Sequence, residues 1–242
     1  MRTTRISSLV AAAVVTVVAA AAPASAAERT VLVPDDFISA LSGTGADGHY
    51  ELQESGLRIW TDNEVAGSRT NKVAEYWAAP GGALPTSAAM TYVASSGGSP
   101  GMQILFDVDD ITGNGNDYNL LVGESIYGDN WWLTTSSSEE AKAADPSGAQ
   151  NGGNGSQWFG TLAQWEAALN NESVKGYGFS LGSGVRGDGV IESMTFGDER
   201  YTFGAHTVLA SKEECKKGGW ATSTKPVFKN QGDCVSWFAS AQ

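Results

Sequence analysis

Histidine and cysteine are nearly missing from this 242-residue sequence: His49 and His206 are its two histidines, Cys215 and Cys234 its two cysteines. Structural zinc sites take four His or Cys ligands and catalytic ones about three protein ligands, so zinc and His-based redox chemistry are not expected. Each histidine reads as an ordinary surface residue. The cysteines lie near each other at one end with no histidine beside them, which points to one disulfide, Cys215–Cys234, rather than a metal site. Closing a loop of that size is worth about 3 kcal/mol.

Basic residues are few as well, 15 Lys and Arg against 27 Asp and Glu. Such a surface repels nucleic acid and anionic lipid, and neither is an expected partner. Long apolar runs are confined to the start. In MRTTRISSLVAAAVVTVVAAAAPASA, Arg2 and Arg5 make a basic beginning, Leu9 to Ala22 an apolar centre, and Ala24-Ser25-Ala26 a small-residue cleavage site. That is the pattern of a secretion signal over 1–26. No later run is long and apolar enough to span a bilayer, and no cysteine follows the cleavage site to carry a lipid. The expectation is a secreted, extracellular protein with no membrane insertion; no motif speaks to its oligomeric state.

Helix-period segments are scarce too. Instead, 30 glycines punctuate short alternating runs, which reads as all-β. Expected strands cover 57–61, 73–78, 88–95, 102–108, 118–124, 130–135, 174–181, 190–196 and 199–204. Several such strands with Gly-rich turns predict a β-sandwich of jelly-roll type over residues 27–210. One short amphipathic helix is expected over 161–171: Thr161 and Gln164 stand at capping-box spacing, with Leu162, Trp165, Ala168 and Leu169 on one face. The stretch 144–157 reads as a long polar loop, of the kind that is either functional or mobile.

Composition changes again near Ser211. Residues 211–242 hold five lysines and three acids, a net +2, so with the signal excluded residues 27–210 hold −16. The disulfide-closed basic tail reads as a clamp that packs Trp220, Val227, Phe228 and Trp237 on the sandwich, aided by charge attraction. Its alternative is an adhesion patch for anionic wall polymers.

Two motifs are decoys. GFSLG at 178–182, followed by Asp188 or Asp198 and His206, matches a hydrolase nucleophile elbow, but that motif needs a strand-to-helix turn and here another strand follows. Arg186-Gly187-Asp188 sits in a Gly-rich hairpin turn, which explains it without adhesion.

The informative stretch is DVDDITGNGNDYNLLVGE, residues 107–124. Period-two alternation sends Met102, Ile104, Phe106 and Val108 to the core and Gln103, Leu105, Asp107 and Asp109 to the opposite, polar face. The turn that follows is a candidate calcium loop, with Asp110, Thr112, Asn114 and Asp117 as ligands. Against calcium, the bidentate Glu wanted at loop position twelve is Leu121, and an Asn-Gly turn accounts for the same residues. A catalytic reading pairs Asp107 or Asp109 with Glu124 across neighbouring strands as a glycosidase carboxyl pair. A binding reading uses Trp132 and Trp60, both in phase with polar neighbours, as stacking platforms for sugar rings, with Gln103, Asp107, Asp109 and Asn119 holding hydroxyls.

The stretches LVGESIYGDNWW (121–132), GFSLGSGVRGDGVIESMTFGDERYTF (178–203) and CKKGGW…FKNQGDCVSW (215–237) together resemble secreted β-sandwich proteins of high-GC Gram-positive bacteria. The last of them is similar to a stapled C-terminal element appended to varied exported proteins. The resemblance covers about the second half of the mature chain and implies an exported, β-rich protein; it transfers no catalytic residues. The leading expectation is therefore a non-catalytic binding protein for a polysaccharide or cell-envelope glycan. An extracellular glycoside hydrolase and a structural or protein-contact envelope protein are the alternatives.

Overall fold

The computed structural model describes residues 26–62, 70–148, 155–169, 172–182 and 185–240. The expected secretion signal, apart from Ala26, lies outside them, as do the middle of the 144–157 loop and the last two residues of the expected helix. All nine expected strands form. In chain order the elements are β1 (Ala27–Leu32), β2 (Gly48–Gln53), β3 (Gly56–Thr61), β4 (Lys72–Ala78), β5 (Ala88–Gly97), β6 (Gly101–Asp107), β7 (Asn119–Gly123), β8 (Asn130–Leu133), α1 (Glu139–Ala143), β9 (Phe159–Thr161), α2 (Leu162–Ala168), β10 (Ser173–Gly182), β11 (Gly187–Phe196), β12 (Glu199–Gly204), α3 (Lys212–Lys216) and α4 (Gln231–Ser240).

They build two six-stranded sheets. In the first, β11 pairs with β5 along one side; along the other it pairs with β3 over Asp188–Ile191 and with β12 over Met194–Phe196. β2 extends beyond β3, and β1 lies parallel to β12. The second sheet runs β4-β10-β6-β7-β8-β9, antiparallel throughout. Aromatic rings from the two sheets meet in the core: Tyr177 stacks on Phe196 at 4.0 Å, and Trp77 tilts against Tyr201 at 5.5 Å. Burial pushes the Tyr177 phenol up to about 12, the ordinary consequence of denying a phenolate its water. All-β architecture is thus as the alternation implied.

The N-cap of α2 also follows the sequence: Thr161 Oγ1 accepts from the Gln164 backbone and Gln164 Oε1 accepts from the Thr161 backbone. Its Trp165 is fully buried and donates its indole N–H to the Trp131 carbonyl at 3.0 Å. The loop 38–45 lies along β4, where buried Glu75 accepts from Ser42 Oγ and Thr44 Oγ1.

Two expectations fail. The face of β6 opposite the core is not open: Gln103, Leu105 and Asp107 are buried along with Met102, Ile104 and Phe106. Period-two parity gives direction but not exposure, and here the second face is itself packed, with Tyr76 lying across Gly178 in the row that includes Gln103. Nor is the tail a clamp. The Cys215–Cys234 disulfide, Phe228, Trp220, Leu209, Val235 and Phe238 make a second small core of their own. Val227 is 76% exposed and Trp237 43%. The tail meets the body through Asp35, which accepts from Lys225 Nζ at 2.5 Å and faces His206 Nε2 at 2.9 Å, and through hydrogen bonds of Ser223 and Thr224 with His206 and Thr207.

Candidate functional site

The 107–117 turn is tied up in its own hydrogen bonds. Asp107 Oδ1 accepts from the backbone N–H groups of Asp109 and Asp110, and Lys175 Nζ lies 3.5 Å from its Oδ2. Asp109 accepts from the Ile111 backbone and the Asn114 amide, and these contacts hold its carboxyl below the usual range, the Ile111 N–H first among them. Asp110, at φ 58, pairs with Lys175 Nζ at 2.5 Å and is likewise held low, chiefly by that contact. Asp117 accepts from the Gly113 N–H. Thr112 sits at the exposed tip. Asp110, Thr112, Asn114 and Asp117 therefore do not fit a calcium ion. The Lys175 ammonium already pairs with Asp110, and among the described residues no three His, Cys, Asp or Glu side chains are placed to hold a metal.

Asn119 is also spent. Its amide donates to the Phe106 and Asn116 carbonyls and accepts from the Ser138 N–H, locking the turn to the start of α1. It is structural, and no polar atom is left for a ligand. Asp107 Oδ1 is likewise taken, while its buried Oδ2 makes no hydrogen bond and has only the Lys175 ammonium at 3.5 Å. Gln103 Oε1 is also buried with no partner.

The proposed carboxyl pair is separated. Gly123 pairs with Met102, so Glu124 lies at the Gly101 end of β6 while Asp107 ends that strand. Six residues at about 3.3 Å each put roughly 20 Å between them. That exceeds the roughly 9.5 Å upper limit for an inverting pair, and Asp109 lies further still.

The two tryptophans part company too. Trp60 is on the outer face of the first sheet and Trp132 on the outer face of the second, so one ligand cannot span them. The Trp60 ring is already engaged, stacked on His49 at 5.0 Å with the Arg58 guanidinium 4.4 Å from its centre. Arg58 in turn makes a two-point contact with Asp188. Gly155 packs against the Trp132 ring, and the Trp132 indole N–H donates to Glu124 Oε2 at 2.9 Å. Trp132 is a holder of Glu124, not an open platform.

Glu124 leads to the real opening. The second sheet continues through β7, β8 and β9, whereas the first ends at β5, and a cleft of ≈ 590 Å³ opens between the sheets at that mismatch. One wall is the inner face of β5, Ala88, Met90 and Tyr92. The other is Met102, Gly123 and Trp131, with Glu124, Asp129 and the first turn of α2 at the rim. Two glycines shape it. A Cβ at Gly123 would lie 2.5 Å from the Trp131 ring, and one at Gly189 would lie 2.4 Å from the Tyr92 hydroxyl. The Tyr92 hydroxyl is buried without a partner, and burial pushes its phenol up, so it stays a neutral donor. Hydroxyls of Thr86, Ser87, Ser99, Ser125 and Thr161 complete a mixed lining, with no Lys, Arg or His in it among the described residues. Tyr92 and Asp129 were not singled out from the sequence. The one available signal was the phase of Met90 and Tyr92 on β5, which marks an inner face but not a cleft.

No protein-family model, curated protein or solved structure matches the chain, so its function is read from its geometry.

Proposed function

We propose that this is an exported, non-catalytic protein that binds an uncharged polysaccharide or cell-envelope glycan in the inter-sheet cleft. The observation that carries the reading is the lining of that cleft: an apolar floor of Met90, Met102 and Trp131 beneath Glu124, Asp129 and the unpaired Tyr92 hydroxyl. Sugars offer C–H faces to apolar and aromatic surface and hydroxyl donors to carboxylates. A volume of ≈ 590 Å³ lies within the range of small-ligand pockets. Carboxylates at the rim without a lining cation disfavour uronic acids and phosphate polymers. Export follows from the 1–26 signal pattern, and a disulfide suits an oxidising compartment. Among the described residues no helix is long and apolar enough to cross a membrane.

The test is retention on insoluble neutral glycans and titration with soluble oligosaccharides. Asp129→Asn at the exposed rim should leave stability unchanged, while affinity falls about tenfold for the lost carboxylate contact with ligand hydroxyls. Glu124→Gln should weaken binding as well. Unchanged affinity in both variants removes the cleft as the site. Release of reducing ends that disappears in Glu124→Gln would instead make the protein a hydrolase.

A further inference from the structure

Edge strands offer unpaired N–H and C=O groups to any strand that approaches, and folded proteins commonly protect them with charge, brevity, proline or a covering loop. Four of the edges here are protected. Along β4, the Ile38, Gly43 and Gly45 N–H groups donate to the carbonyls of Tyr76, Ala74 and Lys72. β9 is three residues long. β1 carries Glu28 and Arg29, and β2 carries His49 and Glu51. The fifth edge, β5, reads AAMTYVASSG and has neither charge nor proline over ten residues. It pairs with β11 alone, and among the described residues no other backbone hydrogen bond reaches it. Ala89, Thr91, Val93 and Ala94 are exposed, Val93 by 53%. Ser95 is bulged near the end of the strand and Glu192 of β11 is skipped between Thr91 and Tyr92, so within Ala88–Ala94 the irregularity lies on β11 and not on β5.

We propose that this free edge is a self-association surface, at which β5 of one copy pairs antiparallel with β5 of a second. Charge selects the occupant. Residues 27–210 carry −16, and two such bodies repel each other wherever their edges carry acidic groups. At β5 the seam holds no charge, so identical acidic molecules meet there without like charges in contact. A strand paired antiparallel with itself closes under a two-fold axis, which ends the assembly at a dimer. Facing residues must share a side of the sheet, and an axis through Tyr92 sets Thr91 against Val93 of the other copy and Met90 against Ala94. Because β5 is also a wall of the cleft, the dimer carries two clefts on either side of the seam. The inference does not depend on what the clefts bind.

Strand pairing alone buries less than the roughly 800 Å² per partner of a stable interface, so the dimer is reversible, with a dissociation constant on the order of micromolar. Sedimentation velocity on the full mature chain, from about 1 to about 500 μM, should show a concentration-dependent shift from monomer to dimer. Val93→Lys and Ala89→Lys, both at exposed outward positions, should each raise the dissociation constant at least about tenfold, because lysine on an edge opposes pairing, with circular dichroism unchanged. A monomer at every concentration, or a dimer that ignores both substitutions, overturns the proposal.

Discussion

Gly123 and Gly189 illustrate how much of the cleft is set by side chains that are not there. Each lets a large ring settle where a methyl group would collide: Trp131 over Gly123, and the Tyr92 hydroxyl over Gly189. Gly123→Ala should cost about 1–3 kcal/mol, as overpacking does, and lower the melting temperature by several degrees. Since Trp131 has Gly123 beneath it and Trp165 bonded to its carbonyl, the ring has to move toward the cleft. Ligand affinity should therefore fall together with stability. Thermal denaturation and glycan titration of the one variant check both, and a stable variant of full affinity would show the ring relaxing elsewhere. Trp132 likewise has its indole N–H committed to Glu124 and holds that carboxylate in place.

Between elements, the pairing of β3 with β11 is reinforced on its outer face by Arg58 and Asp188, which meet at 3.0 and 2.9 Å. Arg58 holds the Asp188 carboxyl below its ordinary value. A carboxyl that is more acidic folded than unfolded stabilises the fold above its unfolded value, near 3.9. That contribution is lost as pH falls through the lower folded value. Asp188→Asn removes the titration while keeping the shape. The variant should melt below the native protein at pH 6, and the gap should close as pH drops below about 4. Melting curves across pH 2.5 to 7 (roughly the span of carboxyl titration) decide it; a gap that stays constant would show the ion pair contributes nothing.

At the scale of the whole molecule, the chain is a two-sheet body and a disulfide-closed helical tail with its own core. Among the described residues no pair of elements joining tail to body makes an extensive contact; the junction is the Asp35, His206 and Lys225 cluster with the hydrogen bonds of Ser223 and Thr224 to His206 and Thr207. Reduction of Cys215–Cys234 should thus cost the tail about 3 kcal/mol and leave the melting temperature of the body unchanged. Limited proteolysis under reducing conditions should cut within 211–240 and spare the sheets. A fall in the melting temperature of the body by several degrees would instead show the tail gripping it. A tail held by this small polar junction fits its exposed Val227 and Trp237.

Much of this was legible in one dimension. Alternation located nine strands, the Thr161/Gln164 spacing located α2, and two neighbouring cysteines with no histidine beside them located the disulfide, because each depends on residues close in sequence. The strands that escaped, β1, β2 and β9, lack clean alternation: β1 is AERTVL and β9 is three residues long. The site was not legible. Whether Asp107 is wet or dry depends on what covers the second face of β6, and whether Glu124 meets another acid depends on register across strands far apart in the chain. Period-two parity gave the side-chain directions on β3, β6 and β8, but the cleft exists because one sheet is wider than the other. That mismatch, and with it the company of Tyr92, Trp131, Glu124 and Asp129, arises only when the two sheets are packed together.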